Sequence, residues 1–380
     1  MLFIKNGHVR TMAGPDIENG CVLLGDDGKI ISVGCDITPP SGAQVIDADG
    51  RLVTPGCVEA HCHLGLANPQ PEAGDLNEKS DPITPQMRVI DGFNPNQDQL
   101  KVAMQSGVTT VCTGPGSTNI IGGTFGAFKT AGTRADDMVV KHPIAMKCAF
   151  GYNPKNIYGG MNKAPFTRMG TAALLRDFLQ KCKHYLEEKE AGKSPAYDSK
   201  MEAMIPVLKK EIPLKAHAHR ADDIFTAIRI AREFDLLLTL EHCTEGHLIA
   251  DALAKEGFPA LVGPAFYVPK KSELWNKTFS TPAVLHNAGV SVSIITDASV
   301  TPIRYLPLCA GLAVSEGLPL EEGWKAITIN PATHTGIADR VGSLEPGKDA
   351  DVVIWTADPL LHIGGKAHIT IINGKVVWQA

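Results

Sequence analysis

Short apolar segments alternate with helical patterns through most of this chain, and that alternation strongly limits the folds open to it. Helical patterns at 172–192 and 221–234 are examples of the intervening stretches. Such alternation predicts parallel βαβ units, and eight units over about 280 residues match a (β/α)8 barrel. We therefore expect an α/β TIM-like barrel at 56–340. The eight segments read VEAHCH, TTVCTG, FGAFKT, PIAMKCAFG, PLKAHAH, LLTLEHC, PALVGPAF and SVSIITDAS.

Both ends of the chain have a different texture, with short alternating strands separated by turn signals. Asp-Gly and Asn-Gly pairs between apolar runs favour the tight turns of β-hairpins. The simplest arrangement pairs the two ends, so we expect 1–55 and 341–380 to form one composite β-sandwich domain. The turn dipeptides are Asp27-Gly28, Asp49-Gly50 and Asn373-Gly374.

Composition and charge argue against several classes of protein. The chain has 380 residues, 44% of them hydrophobic and 20% charged, which is ordinary globular composition. A formal net charge of −5 gives no reason to expect nucleic acid or an anionic membrane as a partner. We find no run of about 18 apolar residues that would predict a transmembrane helix. Many of the nine cysteines lie in apolar runs, which fits reduced thiols and a cytoplasmic location.

Titratable side chains lie in or at the ends of several predicted strands, and the active site of such a barrel lies where its strands end. His61 and His63 alternate in the first segment, so their imidazoles project to one face. Each position alone has an ordinary explanation, such as a boundary histidine, a helix N-cap or a snorkelling lysine. Together they are the ligand types of a divalent transition metal. The remaining positions are Lys147, His217, His219, His242 and Asp297.

Two segments without regular patterns accompany these positions. One is the polar stretch at 66–85 and the other is the Pro/Gly-rich stretch at 114–123. Long loops at the rim of a barrel often carry function, so we expect both to border the site. The second stretch also raises a Rossmann-like nucleotide binder as an alternative. It lacks the G-x-G-x-x-G spacing and a downstream ribose-binding acid, which argues against that alternative.

Several motifs resemble those of the amidohydrolase superfamily. TPGCVEAHCHLG resembles its PG-x-x-x-x-H-x-H signature, and SGVTTVCTG is similar to its second-strand motif. TLEHCTEGH resembles the sixth-strand segment, and IITDAS resembles the segment with the eighth-strand aspartate. NPATHTGIADRVGSLEPGKDADVVIW is similar to the family's exit from the barrel. Within the superfamily, the sequence is most similar to the imidazolonepropionase-like and Xaa-Pro dipeptidase-like branch.

The resemblance implies a role for each matching position. His61 and His63 match the first-strand ligands of the more buried metal, and His242 matches the sixth-strand ligand. Asp297 matches the carboxylate that binds metal and handles a proton. In the fifth strand the family pattern fits His217 as the ligand, with His219 nearer the substrate. Residues i and i+2 of a strand share a face, so geometry alone leaves both open.

Lys147 matches the fourth-strand lysine that becomes a carbamate and bridges two metals in binuclear members. A carbamate presents two oxygens on a long stem, whereas an ammonium is a poor ligand, and a cation-rich pocket offsets the cost of burying the anion. An ordinary lysine is the alternative at this position. The ligand set favours zinc, one or two ions per chain, although iron, manganese or cobalt would also fit.

The resemblance implies a metal-dependent hydrolase that cleaves an amide C–N bond in a cyclic amide or dipeptide-like small molecule. A metal-activated hydroxide would attack the carbonyl, and Asp297 would shuttle the proton to the leaving nitrogen. His219 or Tyr152 would hydrogen-bond the developing oxyanion. Arg220 is a candidate for binding a substrate carboxylate. The alternative is that Arg220 is an ordinary charged residue of a solvent-exposed loop. Further candidates for binding that carboxylate are Lys155, Tyr158 and Arg168.

Two other functions stay open at this point. The first is a mononuclear aminohydrolase that deaminates a heterocycle, but the run after His217 lacks a glutamate at the H-x-x-E spacing. The second is a barrel scaffold that has lost catalysis, which would be expected to lose metal ligands. This chain keeps every candidate ligand. We expect a small-molecule substrate and, as is common among such enzymes, a homo-oligomer.

Overall fold

The computed structural model describes residues 1–67, 74–269 and 271–380. Two sheets of eight strands each organise these residues. Part of the predicted rim loop at 66–85 lies at 68–73, outside the described ranges. No helix in those ranges is long and apolar enough to cross a membrane.

Both ends of the chain contribute to the first sheet, which confirms their predicted pairing. All its strands belong to one hydrogen-bonded network, in the order β16-β15-β14-β5-β1-β2-β3 with β4 on β1, and the sandwich itself is not confirmed. The domain boundaries at 55/56 and 340/341 stay a prediction. The strands are β1 (Leu2–Val9), β2 (Ile17–Leu24), β3 (Ile30–Gly34), β4 (Gln44–Asp47), β5 (Leu52–Pro55), β14 (Val352–Trp355), β15 (Ala367–Ile372) and β16 (Lys375–Gln379).

Two of the three predicted hairpins are confirmed. The Asp27-Gly28 turn joins the antiparallel strands β2 and β3, and the Asn373-Gly374 turn joins β15 and β16. The prediction for Asp49-Gly50 is wrong, because both strands flanking it pair parallel with β1. The chain turns at Asp49-Gly50, but β4 and β5 run in the same direction and each pairs with β1 instead of with the other. A turn dipeptide alone therefore does not fix which strands pair.

The second sheet forms the nearly closed barrel, in the order β13-β12-β11-β10-β9-β8-β7-β6. Five of its neighbouring pairs are parallel, as predicted for a TIM-like barrel. The strands are β6 (Cys57–Cys62), β7 (Val108–Thr113), β8 (Ile121–Lys129), β9 (Val139–Ala149), β10 (Leu214–Ala218), β11 (Leu238–His242), β12 (Ala260–Val262) and β13 (Val292–Ile294).

Strand β8 is a departure from the predicted all-parallel arrangement, because it runs antiparallel to both β7 and β9. Only the short segment 114–120 separates it from β7, and only 130–138 separates it from β9. A parallel connection needs a crossover of about a dozen residues or more, so these links can only reverse the chain. The segment FGAFKT was therefore correctly predicted as strand and wrongly predicted in direction.

Helices cover the outside of the barrel. In α7, residues Ile224, Ala227, Ile228 and Ala231 are buried at the spacing of one helical face, and they pack with the outer side of the sheet. The α-helices are α1 (Val89–Gly92), α2 (Asp98–Gln105), α3 (Ala135–Met138), α4 (Tyr152–Gly160), α5 (Arg168–Glu190), α6 (Ser199–Leu208), α7 (Ala221–Glu233), α8 (Ala250–Glu256), α9 (Thr281–Asn287), α10 (Leu306–Ser315), α11 (Leu320–Lys325) and α12 (Ile329–His334).

A buried group of charges joins the barrel to the end sheet. The Lys129 ammonium of β8 lies 2.9 Å from a carboxylate oxygen of Asp349 and 2.6 Å from one of Asp351, both just before β14. Asp349 also pairs with Lys29 and Arg340. The barrel and the end sheet are thus linked through the two ion pairs of Lys129, which solvent barely reaches.

Candidate metal centre

Two strands of the barrel each present three polar side chains on one face. Glu59 and His61 alternate in β6, and His63 follows that strand directly. Lys215 and His217 alternate in β10 in the same way, followed by His219. All six residues are buried. Because residues i and i+2 of a strand share a face, each row projects towards the barrel interior, although the pairing of β6 with β7 shifts register between Glu59 and Cys62.

The first candidate ligand cluster consists of His61, His63 and Asp297, whose ligand atoms lie within 4.8 Å of one another. Asp297 Oδ1 lies 3.1 Å from His63 Nε2 and 3.8 Å from His61 Nε2. His63 Nδ1 donates to the carbonyl of Gly114 at 2.8 Å, which turns Nε2 towards the carboxylate. Strand β6 and the turn after β13 thus bring three candidate metal ligands together.

The second cluster consists of His217, His219 and His242, whose ligand atoms also lie within 4.8 Å of one another. The ring centroid of His242 lies 4.4 Å from that of His217 and 4.6 Å from that of His219. His242 Nδ1 donates to the carbonyl of Gly263 at 2.7 Å, and His219 Nδ1 lies 2.8 Å from Thr244 Oγ1. Contacts of this kind at one ring nitrogen fix the orientation of a histidine that binds metal through its other ring nitrogen.

Unpartnered buried atoms show that these clusters fit a metal. Within the described ranges, His217 Nδ1, His242 Nε2 and Asp297 Oδ1 are buried and have no hydrogen-bond partner. A buried polar atom without a partner costs about 1–3 kcal/mol. Three such atoms in two neighbouring clusters are the donor atoms that a divalent transition metal binds.

Left-handed backbone conformations direct the side chains of two candidate ligands, His242 and Asp297. His242 and Cys243 have φ values of 71° and 49°, and Asp297 has a φ value of 50°. In a regular strand the neighbours Glu241 and His242 would point to opposite faces. Here Glu241 contacts His61 while the His242 ring lies 5.1 Å from that of His61, so both reach the interior. Left-handed non-glycine residues carry strain that is typical of functional sites.

Lys147 of β9 is fully buried beside the first cluster. Its Nζ lies 3.0 Å from His61 Nε2. Burial lowers the pKa of Lys147 to about 8, against the opposing effect of the carboxylates of Glu241 and Asp297. A larger fraction of this amine is therefore neutral near pH 7 than for an ordinary lysine.

Two buried carboxylates, those of Glu241 and Glu59, contact His61. Glu241 Oε2 lies 2.5 Å from His61 Nδ1 and 2.9 Å from Lys215 Nζ. Glu59 accepts from the backbone N–H of His61 at 3.0 Å and from that of Thr296 at 2.9 Å, so it ties β6 to the end of β13. Burial raises the pKa of Glu59 to about 7, although its hydrogen bonds act in the opposite direction.

Burial also sets the protonation of the candidate ligands. It lowers the pKa of His61, His217 and His219 well below the ordinary value, and that of His242 to about 4. Neutral imidazoles are the form that binds metal. For Asp297 burial acts to raise the pKa, but the imidazoles of His63 and His242 outweigh it and lower the pKa. The carboxylate is therefore ionised at neutral pH.

Two candidate substrate-binding residues lie at the N-terminal ends of helices. Tyr152 begins α4, and its backbone N–H donates to Glu273 Oε2 at 3.0 Å. Arg220 precedes α7, and its guanidinium pairs with the carboxylate of Asp222 at 2.9 Å. Their substrate-binding roles stay predictions.

Two further candidates for binding a carboxylate are engaged elsewhere. Arg168 pairs with Asp223 at 2.9 Å. Tyr158 is fully buried, and its hydroxyl donates to the carbonyl of Asp81 at 2.8 Å, so it supports the fold.

Sequence reasoning missed several residues of the centre. Glu59 and Lys215 continue the alternation of the two histidine rows, and a charged residue at that spacing inside an apolar strand is the signal that would have found them. Glu241 directly precedes His242 in β11, and its contact with His61 has the geometry of a residue that orients a histidine. Asn153 and Lys271 gave no signal, because one lies in the first turn of α4 and the other on the loop between β12 and α9, far apart along the chain.

The Amidohydrolase family model matches residues 52–377 of the chain. The amidohydrolase tasK of Hapsidospora irregularis is 30% identical over 84% of this chain, which spans 36% of that relative's length. The imidazolonepropionase of Rhizobium rhizogenes is 25% identical over 96% of this chain and 95% of its own.

A crystal structure of an amidohydrolase from Thermotoga maritima MSB8 is similar over the full length of both chains, with a TM-score of 0.96 and 39% identity. This structural match agrees with the family match and with the order of the motifs along the chain. The expected family resemblance is confirmed. The chain belongs to the amidohydrolase family and is a hydrolase acting on carbon–nitrogen bonds.

Proposed function

We propose that the chain hydrolyses an amide C–N bond in a cyclic amide or dipeptide-like small molecule, at a centre for two divalent metal ions. One observation carries this proposal, namely two separate ligand clusters inside one barrel mouth, each within 4.8 Å. A mononuclear deaminase would need only one of them. Imidazole and carboxylate ligands suit zinc, which is the metal we propose.

The unpartnered atoms favour particular residues as ligands. His61, His63 and Asp297 would hold one metal. His217 and His242 would hold the other, because each keeps a buried nitrogen without a partner in the described ranges. A bound zinc ion polarises a carbonyl and lowers the pKa of water from about 15.7 to roughly 7.

The protein's own groups would position the substrate and move the proton. The ionised Asp297 carboxylate accepts a proton from the attacking water and passes it to the leaving nitrogen, as one group acting first as base and then as acid. His219 is the most exposed of its cluster at 6%, which suits a hydrogen bond to the developing oxyanion. Thr244 holds its other ring nitrogen in place.

Lys147 would be carboxylated on Nζ. Its amine adds carbon dioxide and releases a proton, which gives a carbamate with one negative charge. The position supports this, because Nζ lies 3.0 Å from His61 Nε2 and its charge also influences His217 and His219 of the other cluster. An anion there would offset the positive charge of two metals.

Metal content per chain tests the centre. We expect two metals in the wild type and one or none in Lys147→Ala, measured by elemental analysis after reconstitution with zinc or manganese. Lys141→Ala is the matched control, because Lys141 is an exposed lysine of the same strand, and it should keep two metals. One metal in every protein would favour a mononuclear enzyme with an ordinary Lys147. No metal in any of them would contradict the catalytic proposal.

A further inference from the structure

The loop between β12 and α9 carries a lysine to the edge of the metal centre. The Lys271 ammonium donates to Asn153 Oδ1. Asn153 Nδ2 lies 2.7 Å from Ser117 Oγ and 3.3 Å from His217 Nε2. A single side chain therefore separates the ammonium from a candidate metal ligand, and the loop after β7 holds that side chain in place.

Among the described residues, no carboxylate lies within salt-bridge distance of the Lys271 ammonium. The Lys271 side chain is partly buried. The ring of Tyr152 lies 5.3 Å from its Nζ. Burial lowers the pKa of Lys271, against the more distant carboxylates of Glu273 and Asp297. A partly desolvated ammonium whose described contacts are an amide oxygen and an aromatic ring is matched to an anionic group on a ligand.

The surroundings hold this lysine in a defined position. Glu273, two residues further along the loop, is buried and accepts from the backbone N–H of Tyr152 at 3.0 Å. Gly151 has a φ value of 81°, and a Cβ there would lie 2.9 Å from Asp223 Oδ2 and 3.0 Å from Glu273 Oε2. The close approach allowed by this glycine packs the loop against the start of α4, so Lys271 sits on a fixed support.

We propose that Lys271, Asn153 and Tyr152 form a subsite for a carboxylate of the substrate, which defines the substrate class as small amides that bear a free carboxylate. This inference rests on the proposed amide hydrolysis. The ammonium supplies the donors, Asn153 Oδ1 holds the ammonium in position, and the Tyr152 ring lies 5.3 Å from Nζ. Arg220 is less suited to this task, because both its bonds already go to Asp222 at 2.9 Å.

The affinities of matched probes test the subsite. N-acetyl-L-proline and N-acetyl-L-prolinamide differ only in carboxylate against carboxamide, and calorimetry with the zinc-loaded protein measures both. We expect the wild type to prefer the carboxylate by about 10- to 100-fold, the usual range for a charged hydrogen bond. Lys271→Met should abolish this preference and Lys271→Arg should keep most of it. Lys277→Met removes the same charge from the same loop and should leave the preference unchanged.

The outcomes separate the subsite from the proposed reaction. Equal affinities in the wild type, no binding of either probe, or a preference that survives in Lys271→Met would overturn the subsite. Hydrolysis of glycyl-L-proline and hydantoin-5-acetic acid is then compared with that of glycyl-L-prolinamide and hydantoin. For the carboxylate compounds we expect Lys271→Met to raise KM by about 10- to 100-fold with a smaller change in kcat. A Lys271-dependent binding preference without hydrolysis of any compound would contradict the proposed reaction alone.

Discussion

The carboxylate of Glu241 and the imidazole of His61 face each other inside the barrel, with Oε2 2.5 Å from Nδ1 and neither side chain exposed. This contact leaves His61 Nε2 to face Lys147 and Asp297. Glu241 also neutralises the buried Lys215 ammonium at 2.9 Å. One carboxylate therefore orients a candidate ligand and compensates a buried charge.

Glu241→Gln should destabilise the protein, because it leaves the Lys215 ammonium buried without a counter-charge. The expected loss in the free energy of unfolding is about 3–5 kcal/mol. The double variant Glu241→Gln/Lys215→Met removes both charges and should recover part of that loss. Urea unfolding of the metal-free proteins measures these differences. A double variant that is no more stable than Glu241→Gln would show that the two side chains do not interact.

Asp297→Asn should keep much of the metal and lose turnover. The amide preserves the shape and one oxygen ligand of the side chain, but it cannot accept the proton, so we expect kcat to fall by about 10²- to 10⁴-fold. Steady-state kinetics and elemental analysis on the same preparation check both parts. Asp251→Asn makes the same change on the exposed face of α8 and should have no effect. Normal turnover in Asp297→Asn would contradict the proton-transfer role.

Lys129→Met should weaken the link between the barrel and the end sheet. The substitution leaves the carboxylates of Asp349 and Asp351 buried without their shared ammonium, and we expect a loss of about 3–5 kcal/mol in the free energy of unfolding. Lys29→Met removes a half-exposed partner of Asp349 and should cost about 1 kcal/mol or less. Equal losses in the two variants would contradict the importance of burial.

The same group of charges predicts an effect of acid. Burial acts to raise the pKa of Asp349, but Lys129 and its other cationic partners outweigh it and bring the pKa to about 2. The stabilisation is present above the ordinary value near 3.8 and is lost as pH falls through 2. Denaturation curves between pH 5 and 2 should therefore converge for wild type and Lys129→Met.

His334 should make stability depend on pH in a higher range. Its ring lies between Ser291 Oγ and Ser293 Oγ, each at 2.8 Å, and burial lowers its pKa to about 4. Between about pH 6.5 and 4 the unfolded chain binds a proton that the folded state does not, so stability falls by up to about 3 kcal/mol over that range. His334→Asn should flatten this slope, as measured with metal-free protein.

A matched control makes the effect of His334 specific. His184 lies on the exposed surface of α5, with 68% of its side chain accessible. His184→Asn should therefore leave the slope of stability against pH unchanged. An identical slope in wild type and His334→Asn would show that this imidazole does not supply the titration.

Local pattern was enough to predict much of the centre. The alternation of His61 with His63 and of His217 with His219 follows from the two-residue period of a strand, and the structure places each pair on one buried face. The strand order brought the segments of β6, β10 and β11 to one barrel mouth. These predictions needed only periodicity, strand ends and ligand chemistry.

The sequence by itself determined the element types, the pairing of the two chain ends and the set of candidate metal-binding groups, because periodicity and side-chain chemistry can be read from the sequence. Tertiary structure decided the direction of β8, the left-handed turn that points both Glu241 and His242 inwards, and the contact of Lys271 with Asn153. Connection lengths, backbone strain and loops from distant parts of the chain act together there. Such terms depend on where the whole chain has packed, and no single segment carries them.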